Sequence, residues 1–249
     1  MNKTNYRKRP WKEQKEAYIE ALNYMSDRKT GIVTSIRTPW EKVNSAIADG
    51  IEWNSTTVIA ARPATGKTLI KDQIVREAFA LNPDEDFRVL EFQFEMLART
   101  SAIRQYSSVL GKSYKYVCSA DGKITDEEIQ KCYDYSKKRV AYPIDVVEEP
   151  ITVNEFKEQI KAYMRANAMS SEEGFEYRKT IVTLDHSLLL KKAPFEKDKY
   201  DTLYNLGEAI TELKRKYPIA FIILSQLNRN IDNPERSEDG KYGNYILES

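Results

Sequence analysis

The alternation of two kinds of segment constrains this chain most. Short apolar runs rich in β-branched residues recur between stretches of helical periodicity. The runs are TTVIAA (56–61), FRVLEFQFEM (87–96), PIDVVEEP (143–150), KTIVTLDHSLLL (179–190) and PIAFIILSQLN (218–228). Runs that are apolar on both faces need cover on both faces. Helices between them supply it, which predicts an α/β fold with a mostly parallel sheet flanked by helices on both sides.

The intervening segments carry their own start and stop signals. KTLIKDQIVREAFAL (67–81) places Ile70, Ile74, Val75 and Phe79 on one helical face. ARTSAIRQYSSVLG stops at Gly111. Thr125 with Glu128, and Thr152 with Glu155, are capping boxes opening two more helices. YDTLYNLGEAITELKRKY (200–217) is a further helix. TTVIAA is expected to be a buried strand. Upstream, a helix is expected from Trp40 towards Ala48, stopped by Gly50. Another is expected over residues 12–27, with Tyr18, Ile19, Leu22 and Met25 on one face, after a polar, basic start.

Composition narrows the function classes. The 249 residues are 41% hydrophobic, enough for a sizeable core, with a formal net charge of +1. Any nucleic-acid contact must therefore come from local basic patches. Two cysteines, Cys118 and Cys132, make neither a disulfide framework nor a zinc site. No apolar run approaches the roughly 20 residues of a membrane span, and the N-terminus lacks a signal-peptide core. The expectation is a cytoplasmic protein with no membrane contact.

Ala61-Arg62-Pro63-Ala64-Thr65-Gly66-Lys67-Thr68 matches a P-loop with Ala in the first glycine position, and it stands between a strand and a helix. Consecutive backbone N–H groups and a helix N-terminus favour a triphosphate there. Gly66 removes a Cβ from the approach, Lys67 reaches the β/γ-phosphates, and the Thr68 hydroxyl is a Mg²⁺ ligand. ATP and Mg²⁺ are the expected cofactors. Hydrolysis needs two more carboxylates. Asp185, ending TIVTLD, lies where a metal-supporting acid belongs, at the carboxyl edge of a parallel sheet. Glu95 is either the acid that activates water or a first-turn helix residue favoured by the dipole. Gln226 and Asn228 close the last strand, as a γ-phosphate sensor or as polar capping. His186, the sole histidine, has no Cys or second His near it and is not expected to bind metal.

With AARPATGKT, FQFEM, IVTLDHSLLL and SQLNR in that order, the chain resembles the RecA-like motor domain of DnaB-type replicative helicases, from about Gly31 onward. The LDH ending is similar to that of phage primase-helicases and implies a phage or mobile-element source. The resemblance implies a RecA-like P-loop NTPase over residues 31–249, preceded at 1–30 by a basic arm and a linker helix that packs on a neighbouring subunit. It makes Glu95 the catalytic glutamate, Asp185 the acid linked to Mg²⁺ and Gln226 the nucleotide-state sensor, so that Glu95, Lys67 and Gln226 are the expected catalytic residues. It further implies a hexameric ring around single-stranded DNA, with a primase or helicase loader as possible partners. In such rings two loops face the DNA. Here they contain Lys191, Lys192, Lys197 and Lys199, and Arg229; Glu196 and Asp198 offset the first loop's charge.

The sequence ends at YILES, where the family's core continues to further strands and an arginine finger. The expectation is a chain that binds nucleotide better than it turns it over. Two other readings stay open: a RecA/KaiC-like DNA-remodelling ATPase, and a nucleotide-gated assembly module.

Overall fold

The computed structural model describes residues 11–171, 174–227 and 247–248. The chain forms two compact units, Met1–Ser35 and Ile36–Ser249. The first holds helix α1 (Gln14–Thr30), opened by a reciprocal Glu13–Glu16 capping box and closed by Gly31 in the left-handed conformation. None of its residues is buried. Tyr18, Leu22 and Met25, on the expected apolar face, are each 65% exposed.

The second unit is built on a parallel sheet. Strands β1 (Ser35–Ile36) and β2 (Ile51–Glu52) flank the short helix α2 (Glu41–Ala46). This helix is shorter than the periodicity predicts, because Ala48 and Asp49 already take positive φ before Gly50. A Cβ on Gly50 would lie 2.3 Å from the Ile36 carbonyl oxygen, so only glycine fits that turn. The sheet strands are β3 (Thr56–Ala61), β4 (Phe87–Gln93), β5 (Ile144–Val147), β8 (Lys179–Asp185) and β9 (Ile219–Leu227). They lie in the spatial order β3-β9-β8-β4-β5, all parallel. β10 (Leu247–Glu248) pairs antiparallel with the end of β9. A small hairpin, β6 (Met169–Ser171) with β7 (Gly174–Glu176), precedes β8.

The helices are α3 (Lys67–Leu81), α4 (Ala98–Leu110), the single turn α5 (Tyr114–Val117), α6 (Asp126–Arg139), α7 (Val153–Ala166) and α8 (Lys199–Lys216). α3 has the bounds predicted. The two capping boxes at Thr125 and Thr152 are both formed, each with the threonine side chain accepting from the N3 backbone and the glutamate accepting from the cap backbone.

Period-two alternation along the strands divides the core into two clusters. Leu90, Phe92, Val182, Leu184, Phe221 and Ile223 pack against Phe156 and Ile160 of α7 and Leu206 and Leu213 of α8. Phe87, Val89, Ile181, Ala220 and Ile222 pack against Ile74, Val75 and Ala78 of α3. Both faces are thus covered, as the apolar runs require. β3 departs from the expected burial: Val58 is 50% exposed. Among the described residues, β3 pairs only with β9 and so stands at an edge.

Candidate nucleotide site and lysine loop

On the α3 face, the strands change character towards their carboxyl ends. Phe87 and Val89 give way to Glu91 and Gln93 on β4, and Ile181 gives way to Thr183 and Asp185 on β8. Register sets these side by side, Glu91 beside Thr183 and Gln93 beside Asp185. Across β9, Gln226 sits beside Ala61, the first residue of the phosphate-type loop. The loop itself turns through left-handed geometry at Ala64 (φ 60°) and Gly66 (φ 93°). At Gly66 this backbone strongly favours glycine. Gly66 is the N-cap of α3 and offers no side chain to its first-turn N–H groups. Those groups and the helix dipole therefore remain available to an anion. The Thr65 hydroxyl donates to the Arg62 carbonyl at 2.7 Å and closes the turn, and Lys67 Nζ donates to the Ala61 carbonyl at 3.0 Å. The lysine arches back over its own loop.

Asp185 is 3% exposed. Burial pushes its carboxyl above the usual range, while the Lys71 charge and a hydrogen bond from Thr68 pull it down and Glu95 pushes it up. One of its oxygens, Oδ1, is buried without a hydrogen-bond partner, as are Gln93 Oε1 and Thr183 Oγ1 beside it. Orphaned buried polar atoms are uncommon; Trp53 Nε1, Thr56 Oγ1 and Tyr217 Oη are others among the described residues, but these three share one sheet face. A carboxylate oxygen next to a threonine hydroxyl is the donor chemistry that a hard divalent cation takes. Glu95 lies two residues past the end of β4, not within the strand, and is exposed. The Phe94 N–H donates to the Asp185 carbonyl at 3.0 Å, which draws that turn to the β8 end. Ala61 to Thr68, Asp185, Glu95 and Gln226 therefore collect at one edge of the sheet.

The Asp185–His186 peptide is cis. His186 accepts from the Leu188 N–H at 3.3 Å, capping a 3₁₀ turn over Ser187–Leu189, and burial holds its imidazole below the ordinary value. Among the described residues, no group of three His, Cys, Asp or Glu side chains could hold a metal.

Sequence reasoning missed the floor of this site. Lys71 is fully buried, with Nζ 2.9 Å from Glu91 and 2.7 Å from Asp72. Burial alone would lower its pKa, but the two carboxylates outweigh burial and raise it. Burial is also the largest influence on Asp72, whose carboxyl is raised although Lys71 opposes the shift. Two signals were present: Glu91 interrupts an apolar run, and Lys71 falls on the same helical stripe as Ile74, Val75 and Ala78.

The loop after the 3₁₀ turn brings together Lys191, Lys192, Lys197 and Lys199, all exposed. Lys192 Nζ donates to the Lys197 carbonyl at 3.1 Å, and Lys199 Nζ donates to the Leu188 carbonyl at 2.8 Å. Glu196 is buried beneath the loop rather than displayed on it, and its charge still interacts with that of Lys199. It is 4% exposed and accepts from the Ala193 N–H, the Thr202 hydroxyl and the Asn205 amide. Asp198 caps α8. Asn228 and Arg229 lie outside the described residues. Cys118 and Cys132 are both free thiols. No helix among the described residues is long and apolar enough to cross a membrane.

Known proteins share this fold. Residues 35–239 match the family model described as the DnaB-like helicase C terminal domain. The replicative DNA helicase DnaB of Helicobacter pylori (strain ATCC 700392 / 26695) is 24% identical over 225 residues, covering 88% of this chain and 42% of the relative. That of Buchnera aphidicola subsp. Schizaphis graminum is 23% identical over 221 residues, covering 87% and 43%. The chain thus spans less than half the length of these curated relatives. Among solved structures, a DnaB-like replicative helicase studied with primase superposes with a TM-score of 0.71 at 17% identity, covering 90% of this chain and 50% of the other. A second solved structure, an ATPase domain, also gives 0.71 at 17%, covering 89% and 73%. The fold is therefore that of the RecA-like ATPase domains. With its family model matched over most of its length, the chain belongs to the DnaB-like helicase C terminal domain family.

Proposed function

We propose that this chain is an ATP-hydrolysing motor domain of a replicative DNA helicase, working as a ring of copies on single-stranded DNA. One observation carries the reading. Asp185 keeps one buried carboxyl oxygen without a partner, and its carboxyl interacts with Thr68 at the end of a P-loop strand–turn–helix unit. In this reading Ala61 to Thr68 wrap the triphosphate and Lys67 turns from the Ala61 carbonyl to the β/γ-phosphates. Thr68 and Asp185 hold Mg²⁺. The ion supplies charge neutralisation at the phosphates. Glu95, exposed beside the β8 end, orients and deprotonates the attacking water. Gln226, on the strand beside Ala61, senses the γ-phosphate. The lysine loop, with Arg229, follows the DNA backbone. Ring copies, a primase and a loader are the proposed protein partners, in the cytoplasm of a bacterial or phage-infected cell.

The test is ATP turnover with and without single-stranded DNA, beside Lys67→Ala and Glu95→Gln. The expected result is DNA stimulation of the parent, loss of turnover in both variants and retained nucleotide binding in Glu95→Gln. Turnover that survives Lys67→Ala would remove the P-loop from its role. Nucleotide-dependent assembly without turnover in the parent would favour the assembly-module reading instead.

A further inference from the structure

We infer that Phe195 is a base-stacking platform for single-stranded nucleic acid, with Lys191 and Lys197 beside it taking backbone phosphates. The inference rests on the proposal that this chain engages single-stranded DNA. It adds a contact with base faces, which lysines alone do not provide.

Phe195, in the loop between the 3₁₀ turn and α8, is 76% exposed. The backbone around it is fixed at many points. The Lys191 N–H donates to the Ile151 carbonyl at 2.8 Å, and the next-but-one residue, Ala193, is buried. Pro194 locks φ immediately before the ring. Glu196, immediately after it, is buried and accepts three hydrogen bonds, from Ala193 N at 2.7 Å, Thr202 Oγ1 at 2.9 Å and Asn205 Nδ2 at 2.7 Å. The Lys197 N–H donates to Asp201 Oδ2 at 2.8 Å. The loop turns its carboxylate inward and its aromatic ring outward. Such a ring could contact a ligand with little loss of backbone freedom on binding.

The surroundings identify the occupant by its chemistry. Lys192 and Lys199 hold backbone carbonyls of their own segment. Lys191 and Lys197, before and after Phe195 in the chain, are exposed, with Glu155 within electrostatic reach of Lys191. Tyr200 and Tyr204, one turn apart on α8, are 66% and 61% exposed. Protein interfaces are depleted in lysine. Aromatic faces interleaved with lysines are what single-stranded nucleic acid takes, since every base has a π-face and every link a phosphate. The loop is also fastened to the segment that follows Asp185, through Lys199 and the Leu188 carbonyl. A base on Phe195 would therefore bear on the strand that ends in the nucleotide site.

The experiment uses the whole chain with Mg²⁺, a non-hydrolysable ATP analogue and a single-stranded oligonucleotide carrying 2-aminopurine. Anisotropy reports affinity and 2-aminopurine emission reports stacking. The parent should bind and quench. Phe195→Ala should bind about 5- to 150-fold more weakly, lose the quench and keep the salt slope; Phe195→Trp should keep both affinity and quench. Lys191→Ala with Lys197→Ala should flatten the salt slope by roughly 0.7 for each phosphate no longer neutralised and keep the quench. Because the ring is exposed, none of these changes removes a core residue. Phe195→Ala with parental affinity and quench overturns the stacking platform and leaves the DNA reading standing. A parent that binds no oligonucleotide overturns both. A changed oligomeric state in Phe195→Ala by light scattering, with DNA binding intact, makes the ring a contact between copies and also overturns the platform.

Discussion

The two faces of the central sheet differ in one respect that matters. The face under α7 and α8 stays apolar to the carboxyl ends of β4 and β8, with Leu90 and Phe92, and Val182 and Leu184, beside Phe221 and Ile223 of β9; its polar positions are Arg88 and Thr180 at the start of their strands and Ser225 near the end of β9. The face under α3 begins the same way and ends in Glu91, Gln93, Thr183 and Asp185. Burying polar groups is unfavourable unless they are paired. Here Lys71 pairs with Glu91 and Asp72, while Asp185, Gln93 and Thr183 each keep an orphaned oxygen. One face is optimised for cohesion. The other gives up cohesion at one end, and that end is where the P-loop docks.

Four perturbations would break or sharpen this contrast. The largest effect is expected from Glu95→Gln, which should lower ATP turnover by about 10²–10⁴-fold without changing the melting temperature, measured by steady-state turnover and thermal melts. Next, Phe156→Ala on the apolar face should lower stability by about 3–5 kcal/mol in urea titrations. Nucleotide affinity, measured on the folded fraction, should not change; a large fall would mean the faces are not separable. Lys71→Met should lower stability by about 3–5 kcal/mol as well, because it leaves buried carboxylates without their cation. Lys71→Met combined with Glu91→Met should recover much of that loss, so strict additivity in this double-mutant cycle would count against a coupled pair.

The smallest effect concerns pH. Burial raises the Asp72 carboxyl above its ordinary value, so the folded chain holds that proton more tightly than the unfolded chain does. Its penalty is absent below the unfolded value of about 3.9 and grows as pH rises through the raised folded value. The stability of the parent relative to Asp72→Asn should therefore fall from mildly acidic pH towards neutrality, in paired melts across that range. A constant difference would show that Asp72 titrates normally.

Much of the scaffold was legible in the sequence because its signals are local. The bounds of α3, the stop at Gly111 and the two threonine caps depend on neighbours a few residues away. The P-loop and Asp185 were legible for a related reason, since strand ends and glycine turns are local features. What was not legible depends on register and on partners far along the chain. Lys71 meets Glu91 only after α3 is laid on β4. Glu196 reads as a surface charge until Thr202 and Asn205 close over it. Val58 is apolar like its neighbours, and only the strand order places it at an edge.

The enclosed ammonium of Lys71 has a consequence for how this chain can vary. Replacing Lys71 alone leaves two carboxylates without their cation, whereas replacing one acid still leaves a Lys71–carboxylate pair. Viable sequence drift under the P-loop helix should therefore give up an acid before it gives up the lysine, so that descendants lacking the lysine lack its acids too.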